Sequence, residues 1–171
     1  MKKISLIVCV NNKNIIGNDN DLLYHIKEDL QNFKRMTSNN VVIMGRKTYE
    51  SLPKRPLPNR INIIITRDIN YEVSDNNVFI VHSVEDAMKL CEEEFNDIEC
   101  FVIGGGQIYN EFLNKDYVSR MYITEVLDNT EGNVVFPIIT LDNWKLFYES
   151  SYQVNSSEYD FKFKIYDRNR N

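Results

Sequence analysis

The sequence is sparing with the residues that most often carry metal or thiol chemistry: its 171 positions hold three cysteines and two histidines. Cys9, Cys91 and Cys100 are an odd number and lack the paired spacing of a metal site or a disulfide framework. Cys9 and Cys100 fall in apolar, strand-like runs, where cysteine serves as a small core residue, and such usage is expected of a reducing cytoplasm. His25 and His82 lie far apart in sequence and form no ligand motif, so no metal is expected. No Gly-x-Ser-x-Gly nucleophile elbow occurs. No apolar run approaches the roughly 18 residues of a membrane span, so no membrane partner is expected. The run from Ile4 to Val10 leads into Asn11-Asn12-Lys13-Asn14 without a small-residue cleavage site, and reads as a first strand. A net charge of −5 argues against general binding to nucleic acid.

What is present is a chain 43% hydrophobic, long enough for one domain spanning residues 1–171 with a sizeable core. Its charge is uneven. From Arg46 to Arg67, Arg46, Lys47, Lys54, Arg55, Arg60 and Arg67 face one acid, Glu50, so this window carries +5 and the remainder −10. Such a strip suits a small anionic ligand or a solvated basic face. Strand-like runs at Ile4 to Val10, Val41 to Met44, Ile61 to Thr66, Val78 to Val81, Cys100 to Ile103 and Arg120 to Thr124 are largely apolar on consecutive positions, as in sheets covered on both faces. Helical stretches at Ile26 to Thr37, from Lys47, at Val84 to Glu94 and at Gln107 to Leu113 alternate with them, which predicts an α/β domain with a mainly parallel sheet. Ser83 is placed to cap the third helix. Two aromatic segments, Trp144 to Tyr148 and Phe161 to Tyr166, predict an antiparallel C-terminal edge, making about eight strands in all. The Asn-rich stretches at 11–20 and 74–77 read as loops, and a polar loop follows Glu125.

On the first helix, Asp29 shares a face with Ile26, Leu30, Phe33 and Thr37. At 100° per residue from Ile26, it falls at about −60° and Phe33 at about −20°. Enclosed there, its carboxyl would trade a proton near neutral pH and grip a cationic heterocycle. Turned outward with Glu28, it would only stabilise the helix start. Gly104-Gly105-Gly106 follows a strand and precedes a helix, as a phosphate cradle or a flexible turn does. The glycines are not spread as G-x-G-x-x-G after the first strand, which excludes a standard Rossmann fingerprint. A second junction, Gly45-Arg46-Lys47-Thr48, and the pair Thr66-Arg67 add cations and hydroxyls at strand ends. Together they suit a nicotinamide dinucleotide carrying a 2′-phosphate. His25 is either a proton relay to Asp29 or an exposed residue of the loop-to-helix junction.

Segments throughout the chain resemble dihydrofolate reductase in order and spacing: Ile4-Ser5-Leu6-Ile7, Ile16-Gly17, Asp29-Leu30-Gln31-Asn32-Phe33-Lys34, Val42 to Ser51, Arg55-Pro56-Leu57-Pro58-Asn59-Arg60, Ile103-Gly104-Gly105-Gly106-Gln107-Ile108-Tyr109 and Tyr122-Ile123-Thr124. The resemblance implies reduction of 7,8-dihydrofolate to tetrahydrofolate by hydride transfer from NADPH, in a monomer that takes a small-molecule substrate. It implies that Asp29 binds the pterin and supports protonation at N5, the proton arriving through water, with Leu22 and Tyr24 beside the reaction. Ile7, Val8, Leu30, Phe33, Ser51, Leu57, Ile103 and Thr124 match substrate positions, and Arg60 matches the arginine for the glutamate α-carboxylate. Arg46, Thr66 and Arg67 match the surroundings of the 2′-phosphate. Val8, Ile16, Gly17, Asn20, Leu22, Gly45, Lys47, Thr48, Ile65, His82 and the run from Ile103 to Tyr109 match the rest of the cofactor site.

The chain departs from the family pattern in two places. Leu23-Tyr24 stands where the family usually has Pro-Trp, and Lys54 and Arg55 flank a one-residue insertion relative to common bacterial members. The reductase of riboflavin synthesis resembles this pattern too, but with a different arrangement of acids, and a binding scaffold without turnover is the non-enzymatic alternative. Oxidation of NADPH that depends on dihydrofolate separates the three.

Overall fold

Aliphatic runs build the central sheet of this computed structural model, which describes residues 2–18, 21–154 and 158–169. In chain order the elements are β1 (Ile4–Asn11), β2 (Ile15–Asn18), β3 (Asp21–Leu22), α1 (Lys27–Thr37), β4 (Val41–Gly45), α2 (Arg46–Ser51), β5 (Ile61–Ile65), β6 (Val78–Val81), α3 (Val84–Glu94), β7 (Cys100–Gly104), α4 (Gly106–Asn114), β8 (Val118–Val126), β9 (Val134–Val135), β10 (Trp144–Glu149) and β11 (Phe161–Arg168). An eight-stranded sheet runs in the order β10-β11-β8-β1-β7-β4-β5-β6. The six strands from β8 to β6 are mutually parallel, and β11 and β10 close one edge antiparallel.

The expected α/β class, eight-stranded sheet and antiparallel C-terminal edge are all present. Parallel strands in one sheet point their carboxyl ends to one side, where ligand crevices form. Consecutive burial explains why β4, reading Val41-Val42-Ile43-Met44, is apolar at every position: both faces are covered by packed layers. The helix α3 begins as expected, with the Ser83 hydroxyl accepting the Asp86 N–H at 3.0 Å. Among the described residues no helix is long and apolar enough to cross a membrane.

A second sheet, β3-β2-β9, departs from the sequence reading, which made loops of residues 11–20 and of the segment after Glu125. Its strands are two to four residues long, too short to show alternation, and β2 pairs with β9 from more than a hundred positions away. Asn11 makes the corner, its Oδ1 accepting from the N–H groups of Lys13 at 3.0 Å and Ile15 at 3.1 Å.

The face of α1 also differs from a closed core. Thr37 is its one fully buried residue, while Leu30 is 45% exposed, so the apolar face borders an open cleft rather than packed protein. Of the two cysteines expected in the core, Cys100 is buried, whereas Cys9 is only partly so, because its strand end borders the site; Cys91, on α3, is buried as well.

Candidate active site

Asp29 sits in the first turn of α1, where the face of the helix crosses the end of β8. Its Oδ1 accepts the hydroxyl hydrogen of Thr124 at 2.5 Å. Burial raises its pKa above the ordinary carboxylate range, outweighing hydrogen bonds from Thr124 and Cys9 that lower it. The bond to Thr124 ties the carboxyl to β8, so the inward of the two readings holds. His25, one turn earlier, is exposed.

Along the same stripe of α1 lie Phe33 and Thr37, and at its far end Arg60. Arg60 is 6% exposed, and its guanidinium donates from Nε to the Pro58 carbonyl at 2.9 Å and from Nη1 to the Thr37 hydroxyl at 3.0 Å. It lies 5.9 Å from the centre of the Phe33 ring. Among the described residues no carboxylate forms an ion pair with it, and burial lowers its pKa. A buried, unneutralised guanidinium is a strong invitation to an anion. Asn62 holds the neighbouring turn, accepting the Leu57 N–H and donating to the Leu57 carbonyl, each at 3.0 Å. From Asp29 to Thr37 is eight residues, about 12 Å of helix, which an elongated ligand with a basic ring at one end and a carboxylate at the other would span.

Beside this stripe a cavity of about 960 Å³ opens at the carboxyl ends of β4, β5, β6 and β7. Each of the cofactor candidates read from the sequence lines it, except Asn20, which lies outside the described residues. Of the substrate candidates, Val8, Ser51 and Ile103 line this cavity; Asp29, Thr124, Phe33 and Arg60 form the α1 stripe, and Ile7, Leu30 and Leu57 are not among the cavity's lining residues. The cradle is made by backbone. Gly104, at φ 131°, precedes a cis peptide to Gly105, and a Cβ on Gly105 would come within 3.2 Å of the Thr48 hydroxyl. Chain-end amides of α4 therefore stay open to a phosphate.

Cations rim the cavity: Arg46, held at 3.3 Å by Glu50, then Lys47 and the exposed Arg67. Thr66 accepts the Asp68 N–H at 3.1 Å, and its carbonyl meets Nδ1 of His82 at 2.9 Å. Ser83, Asp68, Lys115 and Val134 line the cavity without having been singled out for it. Ser83 alone carried a signal, a cap at a strand end; Val134 comes from the unforeseen β9.

Tyr24, which the resemblance sets beside the reaction, has its hydroxyl engaged by Asp128 and Asn11. Its hydroxyl donates to Oδ2 of Asp128 at 2.5 Å and accepts from Nδ2 of Asn11 at 3.1 Å, while its ring meets Tyr159 edge-on at 4.9 Å. Burial first, then the Asp128 bond, push its pKa up to about 12. A charged acceptor at hydrogen-bond distance claims the phenol that a neutral site would have left for water. Leu22, 57% exposed, lies on the cavity rim. Tyr109 donates to the Ile7 carbonyl at 2.8 Å and packs edge-on against Phe136, tying α4 to β1.

Residues 3–168 match the family model described as dihydrofolate reductase. The chain is 43% identical over 169 residues to the dihydrofolate reductase of Staphylococcus haemolyticus, covering 98% of this chain and 97% of that protein. It is 40% identical over 168 residues to that of Bacillus subtilis, covering 96% and 94%. A solved structure of the dihydrofolate reductase from Enterococcus faecalis, complexed with NADP(H) and RAB-propyl, superimposes with a TM-score of 0.84 at 28% identity over 98% of this chain and 97% of that one. Matched end to end in sequence and in fold, the chain belongs to the dihydrofolate reductase family.

Proposed function

We infer that this protein is an NADPH-dependent dihydrofolate reductase, converting 7,8-dihydrofolate to 5,6,7,8-tetrahydrofolate. The observation that carries the reading is the pairing of two poles on one helix stripe, the desolvated Asp29 and the buried, unneutralised Arg60, beside a cavity walled by Val8 and Ile103. The pterin's amino group and ring nitrogen fit the Asp29 carboxylate, and the glutamate carboxylate fits Arg60.

NADPH, when bound, supplies the hydride. The residues present suit it: the glycine cradle at Gly104-Gly105 leaves room for backbone to meet a diphosphate, and Arg46, Thr66 and Arg67 offer two cations and a hydroxyl to a 2′-phosphate. Asp29 orients the pterin and supports protonation at N5, the proton reaching N5 through water. Lys47, Thr48 and the turn from Gly105 to Ile108 hold the ligand in place, and Leu22 covers the rim against solvent, so catalysis here is chiefly positioning.

The reading takes the protein as a monomer with one domain over residues 1–171. Three free thiols support a cytoplasmic setting, and the charge of −5 speaks against nucleic acid as a partner. Absorbance of NADPH, followed with and without dihydrofolate, tests the reading. Oxidation dependent on dihydrofolate supports it; oxidation dependent instead on a phosphoribosyl-aminopyrimidine, or none with either, overturns it.

A further inference from the structure

Cys9 stands where the acid and the cavity meet. On β1 it is in register with Thr124 of the parallel strand β8, so the two side chains share a face of the sheet. Thr124 donates to Asp29 at 2.5 Å, which lays the carboxylate over that same face, beside the strand position that Cys9 occupies. Cys9 also lines the 960 Å³ cavity, and it is the one cysteine of the three that is not fully buried.

We propose that Cys9 is a positioning residue for the reaction: its S–H donates to the Asp29 carboxylate, orients that group at the cavity wall and favours its ionised form. The proposal rests on the role given to Asp29 above. Burial and the neighbouring Asp29 charge both raise the thiol's pKa, so at neutral pH sulfur keeps its hydrogen and is always a donor.

A thiol is a weak donor, but the surroundings of Asp29 give it weight. From β8 the acid meets the Thr124 hydroxyl, and from β1 the Cys9 thiol. From α4 it faces Tyr109, whose hydroxyl hydrogen is already given to the Ile7 carbonyl. No lysine or arginine among the described residues contributes to its ionisation, so two side-chain donors oppose the whole of its desolvation. Cys9 packs as well beside Tyr24, Ile26, Val126 and Phe161, and a test must separate that packing from the hydrogen bond.

The test compares Cys9→Ala, Cys9→Val and Cys9→Ser. The Asp29 carboxyl is titrated by carbon-13 NMR in the ligand-free protein, assigned by its loss in Asp29→Asn, and the pH profile of kcat/KM is recorded alongside. Ala and Val, lacking a donor, should raise the Asp29 midpoint by about half a unit to one unit, and Ser should restore it. The kcat/KM profile should move the same way. Coincident midpoints in all four proteins overturn the proposal and leave Cys9 a packing residue, with the function of Asp29 untouched. Near-normal turnover of Asp29→Asn at neutral pH instead overturns the role of Asp29, and with it any part for Cys9 in the reaction, even if the midpoints move.

Discussion

The cavity and the α1 stripe are built by opposite means. Around the cavity, contacts come from backbone and from short strand-to-helix junctions, such as Gly45 to Thr48 and Gly104 to Ile108, each local in sequence. Along α1, the essential contacts join distant positions: Thr124 to Asp29 across 95 residues and Arg60 to Thr37 across 23. A phosphate can be met by amides that any residue supplies, with glycine only making room. A basic ring and a carboxylate need particular charged side chains stripped of water, and only tertiary packing strips them. The cavity's backbone cradle should therefore suffer most from added bulk, and the stripe from loss of a charged side chain.

The sharpest break of this contrast is Asp29→Asn, which keeps size while removing the ionisable acid. Turnover at neutral pH should fall by about 10² to 10⁴, recovering in part in acid as substrate arrives protonated, while NADPH affinity by fluorescence titration stays unchanged. Stability should move the other way. Burial raises the folded-state pKa of Asp29, so its ionisation destabilises the native state as pH rises from about 3.8 through the raised value. The Asn variant should therefore melt above the wild type at neutral pH, the gap closing in acid. Loss of NADPH binding would place Asp29 in the wrong half of the site.

Bulk in the loop sheet comes next. A Cβ on Gly132 would lie 2.5 Å from the Gly17 carbonyl oxygen, a backbone atom of β2 that cannot give way alone. Gly132→Val should displace β2 and the rim at Leu22, with turnover falling more than tenfold and melting well below the wild type. Wild-type kinetics would show that β2 carries no part of the rim.

Arg60→Lys follows. A fork that meets a carboxylate with two N–H bonds gives way to a single ammonium. A hydrogen bond to a charged group is worth roughly 1.5–3 kcal/mol, so KM for dihydrofolate should rise about tenfold or more with kcat little changed. Arg67→Ala should act on the other ligand alone, removing about tenfold of the preference for NADPH over NADH by the same reasoning. Equal effects of both substitutions on both ligands would erase the division between the two regions.

That division also explains what the sequence disclosed. Junctions such as Met44-Gly45-Arg46 carry their signal within a few residues, so the phosphate-facing part of the cavity could be read from strand ends and charge, while Val8, Ile16, Ile65 and His82 came only with the family resemblance. Asp29 stood out because a carboxylate on an apolar helix face breaks the pattern around it. Cys9 did not, since a cysteine in the run from Ile4 to Val10 matches its apolar neighbours, and only the register with Thr124 sets it against the acid. Nor could β9 be foreseen, as two residues paired with β2 leave no periodicity to read. Tyr24 was seen at its position, but its partner was not: Asp128 sits in a polar stretch of several acids, and folding alone selects it.

Tyr24→Phe gives the smallest expected effect and tests which region Tyr24 serves. The variant keeps the ring against Tyr159 and removes only the hydroxyl. Asp128 retains its bonds from the Thr130 hydroxyl at 2.5 Å and the Thr130 N–H at 3.2 Å, and Asn11 retains the Thr130 carbonyl at 2.8 Å. With each former partner still satisfied, the loss should be about 1 kcal/mol, or roughly 2–4 °C in melting temperature for a chain of this size. Hydrogen bonds from Thr130 and Tyr24 hold the Asp128 carboxyl below its usual range, so the stability they contribute is present above about 3.8 and lost as pH falls through the lowered value. The difference between variant and wild type should accordingly vanish in acid. Turnover should stay within about twofold, since a hydroxyl bound to Asp128 is not delivering a proton near Asp29; a fall approaching that of Asp29→Asn would instead put the phenol on the proton's path.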